Sequence, residues 1–508
     1  MNRSDFLKLQ SGSDIRGVAV EGIDGERITL TVPMCRQIGA AFALWLSEKR
    51  RRPADALTIG VGYDSRVSNT MLEAAFVQGL SSQRTRIVRC GLSTTPAMFM
   101  GTVFEQTRFD GSLMITASHL PFNRNGVKFF DSDGGLERED IAAILNRAAA
   151  LEADALSSAD AAVGSPCGLL SIYAEHLCKA ITAGLTFQAD KPLAGLKITV
   201  DAGNGSGGFF VERVLQKLGA DTGGSQFLEP DGRFPHHIPN PEDKTAIESL
   251  KSAVLQHHAD LGLIFDTDVD RMSAVLPDGT EVNRDAIIAM IAAILAPQYP
   301  GGTVVTDSVT SDRLTDFLEK ELRLKHVRYM RGYKNVINKC KELNAAGVCC
   351  PLAMETSGHG ALKENYYLDD GAYLAVKLVC ALANAKHSGK NIESLIEKFP
   401  PPVEEGEFRL KICGEDFKEY GSAVLETFKT RAKSISCAIP ESYEGVRLSF
   451  NGSDAQGWIL LRLSLHDPVM PLNIEGCRAG DLKKLAAIAR ELLSGLDRLD
   501  ARSLEQYA

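Results

Sequence analysis

The chain has 508 residues, too many for one hydrophobic core, and its 44% apolar and 24% charged residues are those of an ordinary globular protein, not of a disordered or fibrous one. A formal net charge of −9 argues against a general nucleic-acid binder, which would need Lys and Arg to neutralise phosphates, but leaves room for a local basic pocket. The eleven cysteines include no C-x-x-C pair, so neither a zinc knuckle nor a disulfide framework is indicated, and a reducing compartment fits.

The first ten residues, MNRSDFLKLQ, carry Asp5 and no apolar core of signal-peptide type, so export is not expected. The expected setting is cytoplasmic, with a plastid open if a transit peptide has been removed. Next comes a pattern that occurs three times. TIGVGYDSR places Asp64 at the end of a β-rich run, KITVDAGNG places Asp201 there, and TVVTDSVTS places Asp307 there. Segments of helical spacing follow, such as TMLEAAFVQGL and GFFVERVLQKLGA, which is the β-loop-α pattern of an α/β domain. Turn residues accumulate in SSADAAVGSPCG, LAPQYPGG and EKFPPPVEEGE, and they divide the chain into residues 1–165, 166–298, 299–400 and 401–508. The longest apolar run, AIIAMIAAILA, is too short to span a bilayer and reads as a buried helix, so no membrane association is expected. In the last segment EGVRLSF and GWILLRLSL alternate at strand period around NGSDAQ, and the amphipathic DLKKLAAIARELLSGL follows. The predicted fold class is therefore three similar mixed α/β domains plus a smaller C-terminal α+β domain.

Four constellations carry chemistry. The strongest is LGLIFDTDVDR, where an apolar strand delivers Asp266, Asp268 and Asp270 at alternate positions before Arg271. Three carboxylates so close repel one another, and a divalent cation with oxygen ligands relieves that repulsion. An EF-hand would need glycine next and glutamate at loop position twelve, where Arg271 and Pro277 stand. A second is DAGNGSGG, in which Gly203, Gly205 and Gly208 satisfy the dinucleotide spacing G-x-G-x-x-G. A nicotinamide enzyme must therefore be considered, but no acidic residue follows a clear second strand, and a tight strand-to-helix turn explains the glycines. The third is METSGHGALKENYYLDDGAY, whose Glu355, Ser357 and His359 alternate along a loop at a spacing that could grip vicinal sugar hydroxyls, with Lys334 upstream in RGYKNV. The fourth, RLSLHDP, offers Arg462, Ser464 and His466 as a hold for a phosphate dianion. Ser118 in TASHLP, by contrast, reads on its own as a turn residue.

In chain order SGSDIRGV, TASHLPFNRNGVKFF, DTDVDR, ETSGHG and RLSLHDP resemble the motifs of the α-D-phosphohexomutase family, and they span nearly the whole chain. The resemblance implies four domains around a central cleft and a phosphomutase of hexose 1-phosphate and hexose 6-phosphate. Its sugar would be mannose or glucose, since ETSGHG resembles the loops of dual-specificity phosphomannomutase/phosphoglucomutase enzymes. It implies that Ser118 carries the transferable phosphate and contributes, with Asp266, Asp268 and Asp270, to a Mg²⁺ site. Lys128 would act as general acid or base, Arg16 and Arg271 would support the phosphoryl group, and His359 would stand beside the reacting sugar. Lys334, Glu355, Ser357 and His359 would bind the sugar, and Arg462, Ser464 and His466 its non-reacting phosphate. A hexose 1,6-bisphosphate would be the intermediate and activator, and the state a monomer or homodimer. Leu465 and His466 stand where the family's loop has glycine and threonine, and Thr267 and Val269 replace the usual glycines of the aspartate loop. The first of these departures motivates the alternatives, a catalytically impaired sugar-phosphate-binding or regulatory member; a phosphoglucosamine mutase is the other alternative.

Overall fold

The computed structural model describes residues 2–507 except 153, 155, 157, 158, 161, 162, 465 and 466. By contacts the chain divides into two compact units, one formed by Met1–Asn283 with Ser357–Glu393 and the other by Arg284–Thr356 with Ser394–Ala508.

The first unit holds two sheets. Strands β1 (Gln10–Ser11), β2 (Asp14–Val18), β3 (Thr58–Tyr63), β4 (Arg86–Leu92), β5 (Gly111–Ile115), β6 (Arg124–Asp131), β7 (Gly134–Gly135) and β8 (Ser165–Pro166) form the larger sheet. Its order is β1-β2-β6-β5-β3-β4-β8, with β7 paired to β6. β3 runs parallel to β4 and β5, and β6 returns antiparallel beside β5. Every residue of β5 is buried, as a strand covered on both faces must be. The helices Val32–Arg50, Asn69–Ser82 and Arg138–Ala150 contribute Phe42, Leu72, Phe76, Ile141 and Ile144 to the core that also holds Ile59, Leu113 and Phe129 of the sheet.

The second sheet, β12-β11-β10-β9, comprises β9 (Ile198–Asp201), β10 (Leu261–Phe265), β11 (Met272–Val275) and β12 (Glu281–Val282). β10 lies parallel to β9 and antiparallel to β11, with Phe265 opposite Met272, so residues 266–271 form the connection between two paired strands. The segment read as a helix after Asp201 is wound more widely: Val211–Leu215 is a π-helical turn in which Gln216 N donates to Val211 O at 3.0 Å. Apolar spacing alone does not separate such a turn from an α-helix.

In the second unit β13 (Thr303–Thr306) lies between β14 (Lys325–Arg328) and β15 (Leu352–Met354), all parallel, while β16 (Gly360–Leu362) and β17 (Leu368–Asp369), an antiparallel pair, belong to the first unit. The run read as a buried helix is the helix Arg284–Leu295. The C-terminal module is antiparallel throughout, in the order β19-β20-β21-β18-β22 for β18 (Glu404–Ile412), β19 (Val446–Asn451), β20 (Gln456–Leu461), β21 (Val469–Gly476) and β22 (Leu499–Asp500). Its sheet packs Leu448, Ile459 and Leu472 against Leu485, Ala486 and Ala489 of the helix Asp481–Leu492. This is the mixed α/β plus α+β composition that the alternation pattern predicts. Among the described residues no helix is long and apolar enough to cross a membrane.

Candidate active site

The chain leaves β5 at Ile115 and turns at once. Thr116 Oγ1 accepts from Ser118 N at 2.9 Å, and Ser118 sits at φ 51°, the left-handed region that costs a side-chain-bearing residue free energy unless its surroundings impose it. The imposing group is Arg66. Its buried guanidinium donates to the carbonyls of Ser118, Leu120 (2.6 Å), Pro121 (2.8 Å) and Arg124 (2.8 Å). Arg66 is itself set by Asp64, 3.4 Å from its Nε, so the aspartate at the end of β3 indirectly fixes the serine loop. Ser118 Oγ donates to Asp266 Oδ2 at 2.8 Å and accepts from Arg271 Nη2 at 3.1 Å.

Asp266, Asp268 and Asp270 are buried, and one carboxylate oxygen from each lies within 4.8 Å of the others. Their loop is held by three separate segments: Ser206 N donates to Thr267 O (2.8 Å), Thr95 N to Asp268 O (2.9 Å) and Gly371 N to Val269 O (3.0 Å). The glycines of DAGNGSGG serve this contact. A Cβ on Gly205 would lie 2.7 Å from Thr267 Cα and O, so only glycine lets the two backbones meet. Val269 is fully buried at φ 65°, an outlier for a β-branched residue, where the family's usual glycine would be unstrained.

Burial and the neighbouring Asp270 and Asp268 push the Asp266 carboxyl well up. Burial acts the same way on Asp270, but Lys128, His359 and Arg271 outweigh it and hold that carboxyl below the usual range. In Asp268, burial and Asp270 are outweighed by Lys128 and the Thr95 hydroxyl. Among the described residues, Oδ1 of Asp268 and Oδ1 of Asp270 are buried without a hydrogen-bond partner. Buried carboxylate oxygens with open lone pairs fit a hard divalent cation.

Cationic groups surround the carboxylates. Lys128, on β6, places Nζ 3.0 Å from Asp268 Oδ2 and pairs also with Asp270. Burial opposes the charge on Lys128, but the two carboxylates prevail and its pKa lies well above the ordinary value. Arg271 donates to Asp266 Oδ2 through Nε and Nη2 (3.2 Å each), to Asn240 Oδ1 (3.1 Å) and to His119 Nδ1 (2.6 Å). Burial, then Arg271 and Arg16, hold His119 down to about 3, so it is a neutral ring accepting through Nδ1. Arg16 donates to Thr116 O and pairs with Asp14, each at 2.8 Å. His359 shares a hydrogen bond with Ser357 Oγ (2.8 Å) and places Nε2 3.7 Å from Asp270 Oδ1; its pKa falls to about 3, chiefly through burial.

Ser118, Lys128, Arg16, Arg271, Ser357, His359 and the three aspartates therefore belong to one unit. The other unit holds Lys334, Glu355, Arg462 and Ser464. Glu355 Oε1 accepts from Gly332 N at 2.6 Å, two residues before Lys334 in the first turn of the helix Tyr333–Ala345. Arg462 Nη1 lies 3.3 Å from Glu444 Oε1, and Glu444 Oε2 accepts from Ser308 Oγ (2.5 Å) and Arg331 N (3.0 Å). Ser464 Oγ accepts from Asp467 N at 3.2 Å. Leu465 and His466 lie outside the described residues.

Sequence reasoning missed Arg66, His119, Thr95, Asn240 and Glu444. Arg66 stands in TIGVGYDSR two residues after the singled-out Asp64, and His119 is next to Ser118, so both were within reach. Thr95, Asn240 and Glu444 carry no local signal, because only the fold brings them to Asp268, Arg271 and Arg462.

A serine hydroxyl set against three buried carboxylates, with lysine and arginine beside them on α/β sheets, is a site suited to phosphoryl transfer. Models of the phosphoglucomutase/phosphomannomutase α/β/α domains I, II and III match residues 8–154, 172–279 and 283–403. The chain belongs to this family, the α-D-phosphohexomutases, and is an isomerase of the intramolecular-phosphotransferase class. It is 29% identical over 437 residues to a phosphomannomutase/phosphoglucomutase of Pseudomonas putida, covering 86% of this chain and 87% of that one. It is 29% identical over 396 residues to a phosphoglucosamine mutase of Lactobacillus acidophilus, covering 78% and 82%. A crystal structure of a phosphoglucomutase/phosphomannomutase family protein from Burkholderia thailandensis superposes with a TM-score of 0.77 at 23% identity, over 98% of this chain and all of that one, which shows the shared fold.

Proposed function

We propose that the chain interconverts hexose 1-phosphate and hexose 6-phosphate, with mannose or glucose as the sugar, and that Ser118 carries the phosphoryl group between them. The observation that carries this reading is the hydrogen bond from Ser118 Oγ to Asp266, made by a serine in the left-handed conformation and touched also by Arg271. Phosphate monoesters are kinetically inert, so catalysis rests on in-line positioning and on neutralising the transferred group's charge. Arg271 and Arg16 supply positive charge from the protein. Ser118 with Asp266, Asp268 and Asp270 would hold Mg²⁺, which when bound supplies further charge neutralisation.

In the first transfer the P–O bond to Ser118 breaks as one forms to a hexose-phosphate hydroxyl, giving a hexose 1,6-bisphosphate. In the second, the sugar's other phosphate returns to Ser118. Lys128 is the group assigned to carry the proton of the sugar hydroxyl, with His359 beside the reacting sugar. Lys334, Glu355, Ser357 and His359 are assigned to the sugar hydroxyls, and Arg462, Ser464 and His466 to the non-reacting phosphate. Mannose and glucose differ at one hydroxyl, and a site that must accept its intermediate in two orientations is suited to tolerate that difference.

The division into residues 1–165, 166–298, 299–400 and 401–508 goes with this assignment: serine loop, aspartate loop, sugar loop and phosphate loop in turn. A cytoplasmic setting is supported by eleven cysteines that are all free thiols. The test is turnover of the 1-phosphates of mannose, glucose and glucosamine with Mg²⁺ and catalytic hexose 1,6-bisphosphate. The first two are expected to be converted with kcat/KM values within about tenfold of each other. Preference for glucosamine 1-phosphate would overturn the sugar assignment, and no turnover of any would favour the binding or regulatory alternative.

A further inference from the structure

Away from the phosphoryl site, the larger sheet ends at β8, the edge strand beside β4. The two run parallel, with Val88 opposite Ser165 and Arg89 opposite Pro166, and Cys167 N donates to Arg89 O at 2.9 Å. The ladder thus brings Cys90 and Cys167 to neighbouring positions on adjacent strands. Cys90 is also where the β3–β4 register slips: Val61 faces Arg89 and Gly62 faces Gly91, so Cys90 is the extra, bulged residue. Each thiol is the largest single influence on the other's ionisation. Neighbouring positions on paired strands are within the span that a disulfide can close.

We propose that Cys90 and Cys167 form a dithiol that a peroxide closes reversibly to a disulfide, a modification site separate from the mutase chemistry. The two cysteines have different surroundings. Cys90 is buried, whereas Cys167 is partly exposed and lies two residues before the helix Leu169–Gly184. A thiol beside a helix N-terminus is favoured as thiolate. The neighbouring Cys90 thiol, opposed by burial and aided by the Leu169 backbone, lowers the Cys167 thiol to about 7. The neighbouring Cys167 thiol and burial raise Cys90, with Glu73 adding in the same direction. Cys167 is thus the attacking sulfur and Cys90 the resolving one.

The step balances. Cys167 thiolate attacks a peroxide oxygen, an S–O bond forms as O–O breaks, and the hydroxide released takes up a proton to leave as water. Cys90 then gives up its proton and its sulfur displaces the sulfenic oxygen of Cys167 as a second water, forming S–S. Two electrons pass from the two thiols to the peroxide. A dithiol reduces the bond again by exchange.

The test is peroxide treatment of the full-length protein, followed by intact mass and non-reducing peptide mapping. The expected result is loss of two hydrogen masses and one cross-linked peptide pair containing Cys90 and Cys167, reversed by dithiothreitol. Cys167→Ser, at a partly exposed position that folding tolerates better than Cys90, is expected to lose the cross-link; the wild-type map alone already decides the pairing. The proposal is overturned if Cys167 proceeds to sulfinic acid unlinked or if a different pair forms. It is equally overturned if Cys90 and Cys167 stay reduced while the exposed Cys349, Cys413 and Cys477 are oxidised.

Discussion

Two loops of this chain follow strands and are proposed to meet phosphate, TASHLP after β5 and RLSLHDP after β20, and their described residues are held differently. Ser118 is fixed from every side: Arg66 grips four carbonyls of its loop, Thr116 takes its N–H, and Asp266 and Arg271 hold its hydroxyl. Among the described residues, Arg462 pairs through Nη1 with Glu444, and its buried Nε has no hydrogen-bond partner. The first loop stores backbone strain and keeps it with many contacts, which suits a group proposed to meet a reacting phosphorus in line. The second keeps an arginine with spare donors, which suits a residue that binds a phosphate and lets it go. Damage to the first loop is therefore expected to appear in turnover, and damage to the second in substrate affinity.

The sharpest way to break that contrast is in the aspartate loop against which Ser118 rests. Asp268→Asn removes a charge from the candidate metal site, and kcat is expected to fall by about 10³-fold or more in steady-state assays. Chelation of divalent ions is expected to silence the wild type, with activity returning on adding Mg²⁺. A variant retaining near-normal kcat would mean that the three carboxylates are structural.

Next in size is Arg66→Lys, which keeps the charge but cannot reach four carbonyls. With Ser118 less firmly held, kcat is expected to drop about 100-fold while KM moves less than about threefold. A change confined to KM would remove the positioning role. In the second loop the split is expected to reverse: Arg462→Ala should raise KM about tenfold, roughly 1.4 kcal/mol of binding, and leave kcat within about threefold.

The smallest expected effect is on stability and comes from Asp307, in the same unit as Arg462. Burial, opposed by Arg331 and Thr356, raises its carboxyl to about 6. A raised folded pKa gives a contribution that is complete below the unfolded value near 3.8 and is lost as pH rises through about 6. Between pH 4 and 7 stability should therefore decline, by no more than about 3 kcal/mol from this group. Urea melts of Asp307→Asn are expected to lose that part of the slope. An unchanged pH profile would show that Asp307 titrates as an ordinary carboxyl.

How much of this was legible in the sequence differs between the loops for a physical reason. LGLIFDTDVDR announced itself because a strand too apolar for the surface ends in three carboxylates, and burial of charge needs a partner wherever the strand lies. Ser118 alone looked like a turn residue, and a turn residue it is; its place against Asp266 depends on contacts between residues 148 positions apart. The glycines of DAGNGSGG read as a turn in the sequence, but the backbone that Gly205 must accommodate belongs to Thr267, which no local pattern encodes. The three Asp-ended strands were legible as β-loop-α units, although the middle one continues into a π-helical turn. The partners of Arg462 were not legible, since Glu444 lies on a loop whose sequence, ESYEG, reads only as a turn.

The most direct test of the central assignment is the intact mass of the purified protein before and after incubation with glucose 1,6-bisphosphate and Mg²⁺, beside Ser118→Ala treated identically. The account predicts one phosphoryl increment on the wild type, mapped to the TASHLP peptide and absent from the variant. A folded, metal-replete wild type that never gains the increment, or a variant that still does, would contradict it.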